Sequence, residues 1–518
     1  MRPQVGEINN LSRSRFWGSC SRACPGKFNA GGDVMKRKPF FIVLVLAMLL
    51  TSCGQPAVSP TPNLDERIQR TAFLNVNLVP MTEEVILENQ TVLVEGTRII
   101  QIGPSHEVAI PDNTAVIDGA GAYLMPGLAD MHIHSTDDWL SDAAWPASPL
   151  ELFLANGVTT IRDCGHNGDI NLPLRWREEV QAGHLDGPTI YTTGSVLYDD
   201  RRGPVYPGIV QDQVDQGFDF LKLYSPLSEE HFHEAMAEAK QLGLHTVGHI
   251  PYQVGLDGAL AAGMNEIAHI EEVYFASLDL ELTGHPSEEE WLSQVIEVSI
   301  PLLEATGDNP EAIEKLHGKA ISTIVDKLRS ADVVVGTTMV VGEVVVQKLF
   351  EPEVFLARPE NRYLPLRNRE QIRRGEDKHQ LIFRGIEDLA PGKYATDQLI
   401  LAHLRQAGIP LVLGTDASPT LAVVPGFSIH DELRILTENG YSPFEAIATA
   451  TVNAAQVIEA IAGSRDCGTI EVGNRADLIL VAGNPLEDLV HIREPLGVMA
   501  AGRWYSRQTL ERMTAIEE

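Results

Sequence analysis

The stretch GLADMHIHS, residues 127–135, sets an aspartate and two histidines inside an otherwise apolar run. Side chains two apart on a β-strand project to the same face, so His132 and His134 point together, with Asp130 on the same side. A buried strand holds such a row only where something pairs with it, and two imidazoles on one face form a metal-ligand geometry. The spacing alone is a weak signal. With 16 histidines in 518 residues, chance supplies on the order of half an H-x-H per chain. His231 and His233, within SEEHFHEAMAEAKQLG, act as an internal control. The apolar spacing there predicts a helix that Ser228 caps. Residues two apart on a helix diverge by about 200°, so that pair cannot share a metal.

On both sides of this strand, β-branched runs alternate with amphipathic helical stretches, which predicts repeated βα units and parallel strands. Eight strands are expected, at 127–134, 158–163, 189–194, 220–224, 245–250, 265–270, 333–338 and 410–416. They suit an α/β protein with a (β/α)8 TIM barrel over residues 126–463, its active site at the C-terminal ends of the strands. Short strands broken by Gly, Asn and Asp turn signals fill 71–125 and recur over 464–508, so the two ends are expected to build one small β-sandwich. The connections from His269 to Val333 and from Thr338 to Pro410 exceed ordinary barrel loops and are expected to fold over the site.

Lys222, His249, His269 and Asp416 fall at the ends of four further strands. Singly, each has an ordinary reading: a hydrogen-bonded core histidine, a lysine reaching the barrel rim, an aspartate capping the next turn. With His132 and His134 they make six such residues at one end of one barrel. Asp130 is expected to support the others rather than to bind a ligand itself. Tyr224, two beyond Lys222, faces the same way and suits a hydrogen bond to a substrate carbonyl, a core tyrosine being the other reading. His166 and His430 lie just past the second and eighth strands, where loops reach the pocket, and are candidate substrate contacts. Eight basic and four acidic residues between Arg358 and Arg384 would hold a substrate carboxylate if that segment covers the pocket, which favours dipeptides.

The N-terminus follows another logic. Residues 1–34 read as an over-extended start and are expected to be disordered. Over 35–52, Lys36, Arg37 and Lys38 precede an apolar run from Phe40 to Leu50, too short for the roughly 20 residues a membrane span needs. Leu50-Thr51-Ser52-Cys53 resembles a bacterial lipobox, which implies cleavage before Cys53 and lipid on its thiol. Residues 53–70 then form a Pro/Ser-rich tether. The mature chain keeps 32 basic against 69 acidic residues. So acidic a surface argues against nucleic acid and leaves membrane attachment to the lipid, placing the protein in the bacterial cell envelope outside the cytoplasm, on the outer membrane or periplasmic face. Only Cys164 and Cys467 remain in the folded part, in different expected domains, so no disulfide is expected.

The motifs PGLADMHIHS, NGVTTIRDCG, FDFLKLY, HTVGHI, NEIAHIEE, LGTDAS and FEAIATATVNAAQVI, followed by GTIEVGNRADLILVAGNPL, together resemble the amidohydrolase superfamily, specifically its prolidase-like and imidazolonepropionase-related branch. The resemblance runs from about Ala72 to Arg503. It implies two divalent metal ions; the ligand types suit zinc, with manganese and iron as the other readings. His132, His134 and Asp416 would hold one and His249 and His269 the other, bridged by Lys222 N-carboxylated by CO2. The implied reaction is attack of a metal-bridging hydroxide on the carbonyl of a non-cyclic amide, with Asp416 as the catalytic proton shuttle to the leaving amine. The expected substrate is a dipeptide or N-acyl amino acid, and a homo-oligomer is a further expectation. A cyclic amidase or lactonase of the same superfamily is the alternative reaction, and a non-catalytic ligand-binding surface lipoprotein the alternative class.

Overall fold

Burial pattern separates the strands into two kinds. The computed structural model describes residues 70–134, 147–165, 169–199, 205–280 and 286–516. The described residues begin with β1 (Arg70–Leu78), β2 (Leu87–Glu95), β3 (Arg98–Pro104), β4 (Thr114–Asp118) and β5 (Tyr123–Pro126). Next come β6 (Leu128–Ile133), β7 (Val158–Asp163), β8 (Thr189–Thr192), β9 (Leu221–Leu223), β10 (Thr246–Gly248), β11 (Glu266–Ile267), β12 (Val334–Gly336) and β13 (Leu411–Val412). The last strands are β14 (Leu478–Val481), β15 (Gly497–Ala500) and β16 (Arg503–Ser506).

The two ends do meet. β1–β5 and β14–β16 form one eight-stranded sheet, in the order β16-β15-β14-β5-β1-β2-β3 with β4 also on β1. β5 and β14 pair antiparallel, Leu124 opposite Leu480. Their side chains share a core with Phe73, Val76, Val92, Leu478 and Met499, each large one worth about 1.5–3 kcal/mol of burial. The sheet forks at β1, which gives one edge to β2 and divides the other between β4 and β5.

The remaining strands are parallel and lie in two arcs, β6-β7-β8 and β13-β12-β11-β10-β9. Each arc's edges are tied to the other's by individual hydrogen bonds. Met131 N donates to Leu413 O at 2.9 Å and Asp416 N to His132 O at 2.8 Å on one side, and Asp219 N donates to Thr192 O at 2.9 Å on the other. All eight expected strands are present, but most are two to four residues long. The polar residues expected inside β10, β11 and β13 therefore sit just beyond them, on the backbone that leaves each strand.

The long connections are filled with helix. Glu271–Ser277, Glu288–Thr306 and Pro310–Ala331 separate β11 from β12, and the stretch from Met339–Phe350 to Ala390–Ala407 separates β12 from β13. The segment around Arg358–Arg384 forms short helices, among them Leu366–Arg374 and Lys378–Ile382. Glu229–Leu242 is the helix expected around His231 and His233, and Ser228 accepts a hydrogen bond from His231 N at 3.4 Å. Cys164 and Cys467 are free and buried in separate clusters. Cys53, the residues read as signal and tether through 69, and His166 lie outside the described residues.

Candidate active site

β6 shows why a buried strand carries polar side chains. Ala129 and Met131 pack outward against Ala454, Ala455 and Ile458 of helix Val452–Ala462. Alternation then turns Asp130, His132 and His134 to the opposite face. Asp130 is fully buried and accepts from Thr415 N at 3.0 Å and Thr415 Oγ1 at 2.6 Å. Burial pushes its carboxyl up to about 7, against those hydrogen bonds. Its role is to fix the residue before Asp416. Gly414 completes the seam, since a Cβ there would lie 2.5 Å from His132 Cβ, and its absence lets the end of β13 close on β6.

Asp416 follows with φ of 57°, a left-handed backbone uncommon outside glycine and typical of places where structure over-determines a functional residue. Its Oδ1 lies 3.0 Å from His134 Nε2 and 3.8 Å from His132 Nε2. Burial would raise this carboxyl, but the hydrogen bond and charge of His134, with His269 and Lys222 behind, hold it well below the ordinary range. Ligand atoms of His132, His269 and Asp416 all lie within 4.8 Å of one another. Lys222, on β9 and almost wholly buried, places Nζ 3.2 Å from His132 Nε2. The His249 ring lies against His269, tilted by 39°, with centroids 4.6 Å apart. His132, His269 and Asp416 thus form one tight group, joined by His134 through Asp416, by Lys222 through His132 and by His249 through His269.

Three of the imidazoles are held by their Nδ1 atoms. His134 Nδ1 lies 2.6 Å from Gly165 O, which can only accept, so Nδ1 carries a proton and Nε2 is the atom turned to Asp416. His249 Nδ1 lies 2.6 Å from Glu272 Oε1, and His269 Nδ1 lies 2.9 Å from Thr338 Oγ1. Fixing Nδ1, so that the ring presents Nε2, is how proteins orient histidines for a metal. Burial holds His132, His249 and His269 well below the usual histidine range, with Lys222 and the other imidazoles adding to it and Asp416 opposing it at His249 and His269, so each offers a neutral ring. Buried lone pairs converging on a carboxylate suit a divalent cation, and the donor set is of the kind zinc takes.

Tyr224 stands at the rim, 39% exposed, its ring edge-on to His249 at 4.5 Å. His430 does not reach the group. It is buried on helix Ser428–Glu438, facing the Asn156 backbone that leads into the start of β7, and burial holds it down to about 3. A helix beginning after the eighth strand runs back along the outside of the strands, so its third residue has already left the mouth.

Sequence reasoning overlooked Glu272, Thr338 and a buried brace beneath the site. Arg162 on β7 donates to Met131 O at 2.6 Å and forks onto Glu266 of β11, which also meets His245. A charged residue within a uniformly buried strand was the available signal, because it must find a partner.

The Amidohydrolase family model matches residues 225–505, more than half of the chain. Curated relatives align over shorter stretches. An adenine deaminase of Staphylothermus marinus is 39% identical over 89 residues, 17% of this chain and 14% of that protein. An imidazolonepropionase of Shouchella clausii is 37% identical over 75 residues, 14% of this chain and 16% of that one. The aligned parts are thus a minor share of those relatives' lengths. Solved structures align over most of the chain. A Xaa-Pro dipeptidase with bound methionine in the active site has a TM-score of 0.57 at 19% identity, covering 85% of this chain and 100% of that one. Molinate hydrolase has a TM-score of 0.59 at 16% identity, covering 87% and 98%. At such identities the likeness is one of fold, and together with the family match it has one consequence: this chain belongs to the amidohydrolase family.

Proposed function

We propose that the protein is a metal-dependent hydrolase of carbon–nitrogen bonds, acting on the non-cyclic amide of a dipeptide or N-acyl amino acid. The observation that carries this reading is the buried group of His132, His269 and Asp416, with Lys222 Nζ 3.2 Å from His132 Nε2. His132, His134 and Asp416 would hold one divalent ion, zinc by donor type, and His249 and His269 a second, with N-carboxylated Lys222 between them. Burial lowers the Lys222 pKa, which favours the neutral amine that reacts with CO2. Bound there, divalent ions supply an activated water and a polarised carbonyl. Asp416 takes the proton of the attacking water and returns it to the leaving nitrogen, and its depressed pKa keeps it ionised for the first task. Tyr224 is set beside His249 to meet a substrate oxygen. Glu272, Thr338 and the Gly165 carbonyl hold the three imidazoles in orientation through their Nδ1 atoms.

The wider reading is of a piece with this. The two arcs are read as one (β/α)8 barrel over 126–463 and the forked sheet as a small sandwich of 71–125 and 464–508. The N-terminal pattern supports a lipid anchor on Cys53 and a place in the bacterial envelope, and the acidic surface supports a small-molecule rather than a nucleic-acid partner. The Xaa-Pro dipeptidase among the structures of similar fold supports a dipeptidase-like substrate. A screen of dipeptides, N-acyl amino acids and cyclic amides against the zinc-supplemented protein tests the reading. Release of free amino acid from the linear amides is the expected result. Turnover of cyclic amides alone, or of nothing under any metal, would overturn it.

A further inference from the structure

The connection between β12 and β13 brings a second set of polar groups toward the site. Lys348, near the end of helix Met339–Phe350, is completely buried. Its Nζ lies 2.7 Å from Asp377 Oδ1, 3.0 Å from Leu421 O and 3.2 Å from His379 Nδ1. Leu421 belongs to the loop that follows Asp416, and Asn368 Nδ2 donates to Pro419 O in that loop at 3.0 Å. The short helix Lys378–Ile382 is thereby fastened against the segment that carries Asp416. Charge links them as well: Asp416 acts on the His379 ring, and Lys378 acts on His249.

An ammonium group donates and cannot accept, so His379 Nδ1 must accept from Lys348 and the proton of the neutral ring sits on Nε2. Burial, with Lys348 and Lys378 beside it, keeps that ring neutral at ordinary pH. The ring's bond within the described residues falls on Nδ1, which leaves Nε2–H to be met from outside, on a side chain that keeps 13% exposure. Next to it Lys378 is exposed and pairs with no carboxylate among the described residues. One fixed N–H donor and one cation whose charge reaches the same ring match the two oxygens of a carboxylate.

We propose that His379 Nε2–H and Lys378 bind a carboxylate of the substrate, so that the site takes molecules ending in a free amino-acid carboxylate over their neutral counterparts. This deepens the amide-hydrolase reading and rests on it for the location of the pocket. The test is calorimetric titration of the zinc-loaded full chain with a panel of L-amino acids, each paired with its amino alcohol, none of which has an amide to cleave. Wild type should bind at least one acid about 10- to 100-fold more tightly than its alcohol, the range for a hydrogen bond to a charged group. His379→Phe should abolish that preference, His379→Gln should restore most of it because its amide N–H can stand where Nε2–H does, and Lys378→Ala, at an exposed position, should weaken the acids alone. No acid preference in wild type, or a preference that survives both His379→Phe and Lys378→Ala, overturns the proposal. A chain that prefers the acids but cleaves no amide would uphold it while overturning the proposed reaction, and amide cleavage without the preference would do the reverse.

Discussion

Glu272→Gln isolates what holds His249 in place. The Glu272 carboxylate accepts from two donors at once, His249 Nδ1 at 2.6 Å and Ile250 N at 3.0 Å. A glutamine of the same shape has one acceptor oxygen, so its NH2 must confront one of the two N–H groups. The loss is one hydrogen bond to a charged group, about 1.5–3 kcal/mol. At 1.4 kcal/mol per tenfold, this amounts to roughly 10- to 150-fold in the affinity of the ion that His249 holds. That matches the roughly 10- to 100-fold typical of losing a partner behind a metal-bound histidine. Because the hydrogen bonds of Glu272 among the described residues go to His249 and Ile250, the effect should fall on one of two binding steps. Zinc titration against a competing chelator, with the melting temperature followed in parallel, reads both. The expected curve keeps its tight step and weakens the other. Two unchanged steps, or two equally weakened ones in a protein that melts as wild type does, would refute the role given to Glu272.

Lys222→Ala should lower bound metal below two per chain by elemental analysis and abolish hydrolysis, and unchanged turnover would exclude the bridge. Glu266→Gln leaves the Arg162 guanidinium buried without its anion, which should cost about 3–5 kcal/mol in denaturant unfolding. The same pair sets a pH dependence. Burial raises the Glu266 carboxyl, but Arg162 outweighs it and holds it down to about 2, below its usual value in an unfolded chain. The unfolded state therefore binds more protons between these values, and the stabilisation is fully present above about pH 4.5 and is lost as pH falls toward 2. Wild-type unfolding free energy should decline across that window more steeply than that of Glu266→Gln, and equal slopes would contradict the assignment. His430→Leu should leave kcat/KM within about twofold of wild type, and a drop near that of Lys222→Ala would place the ring in the site after all.

Much of the site was legible because strand geometry is local. The two-residue period orients His132 and His134 whatever lies around them, and the same period set Tyr224 on the side of Lys222. The sites of His249, His269 and Asp416 were readable as polar residues closing apolar runs, since a buried strand has few uses for them. The helical period likewise turns His231 and His233 to different faces. His430 misled because proximity in sequence to the eighth strand says nothing about the direction of the helix that follows.

The sequence by itself determined which residues alternate, which runs must be buried, and hence which side chains share a face. Tertiary structure decided what those faces meet. The fork at β1, the hydrogen bonds that join the two arcs, the Arg162–Glu266 brace and the fastening of Lys378–Ile382 through Lys348 all join residues far apart in the chain. Pairing of that kind depends on three-dimensional closure and on which buried charge finds its counterpart, and neither quantity has a period that a linear pattern can display.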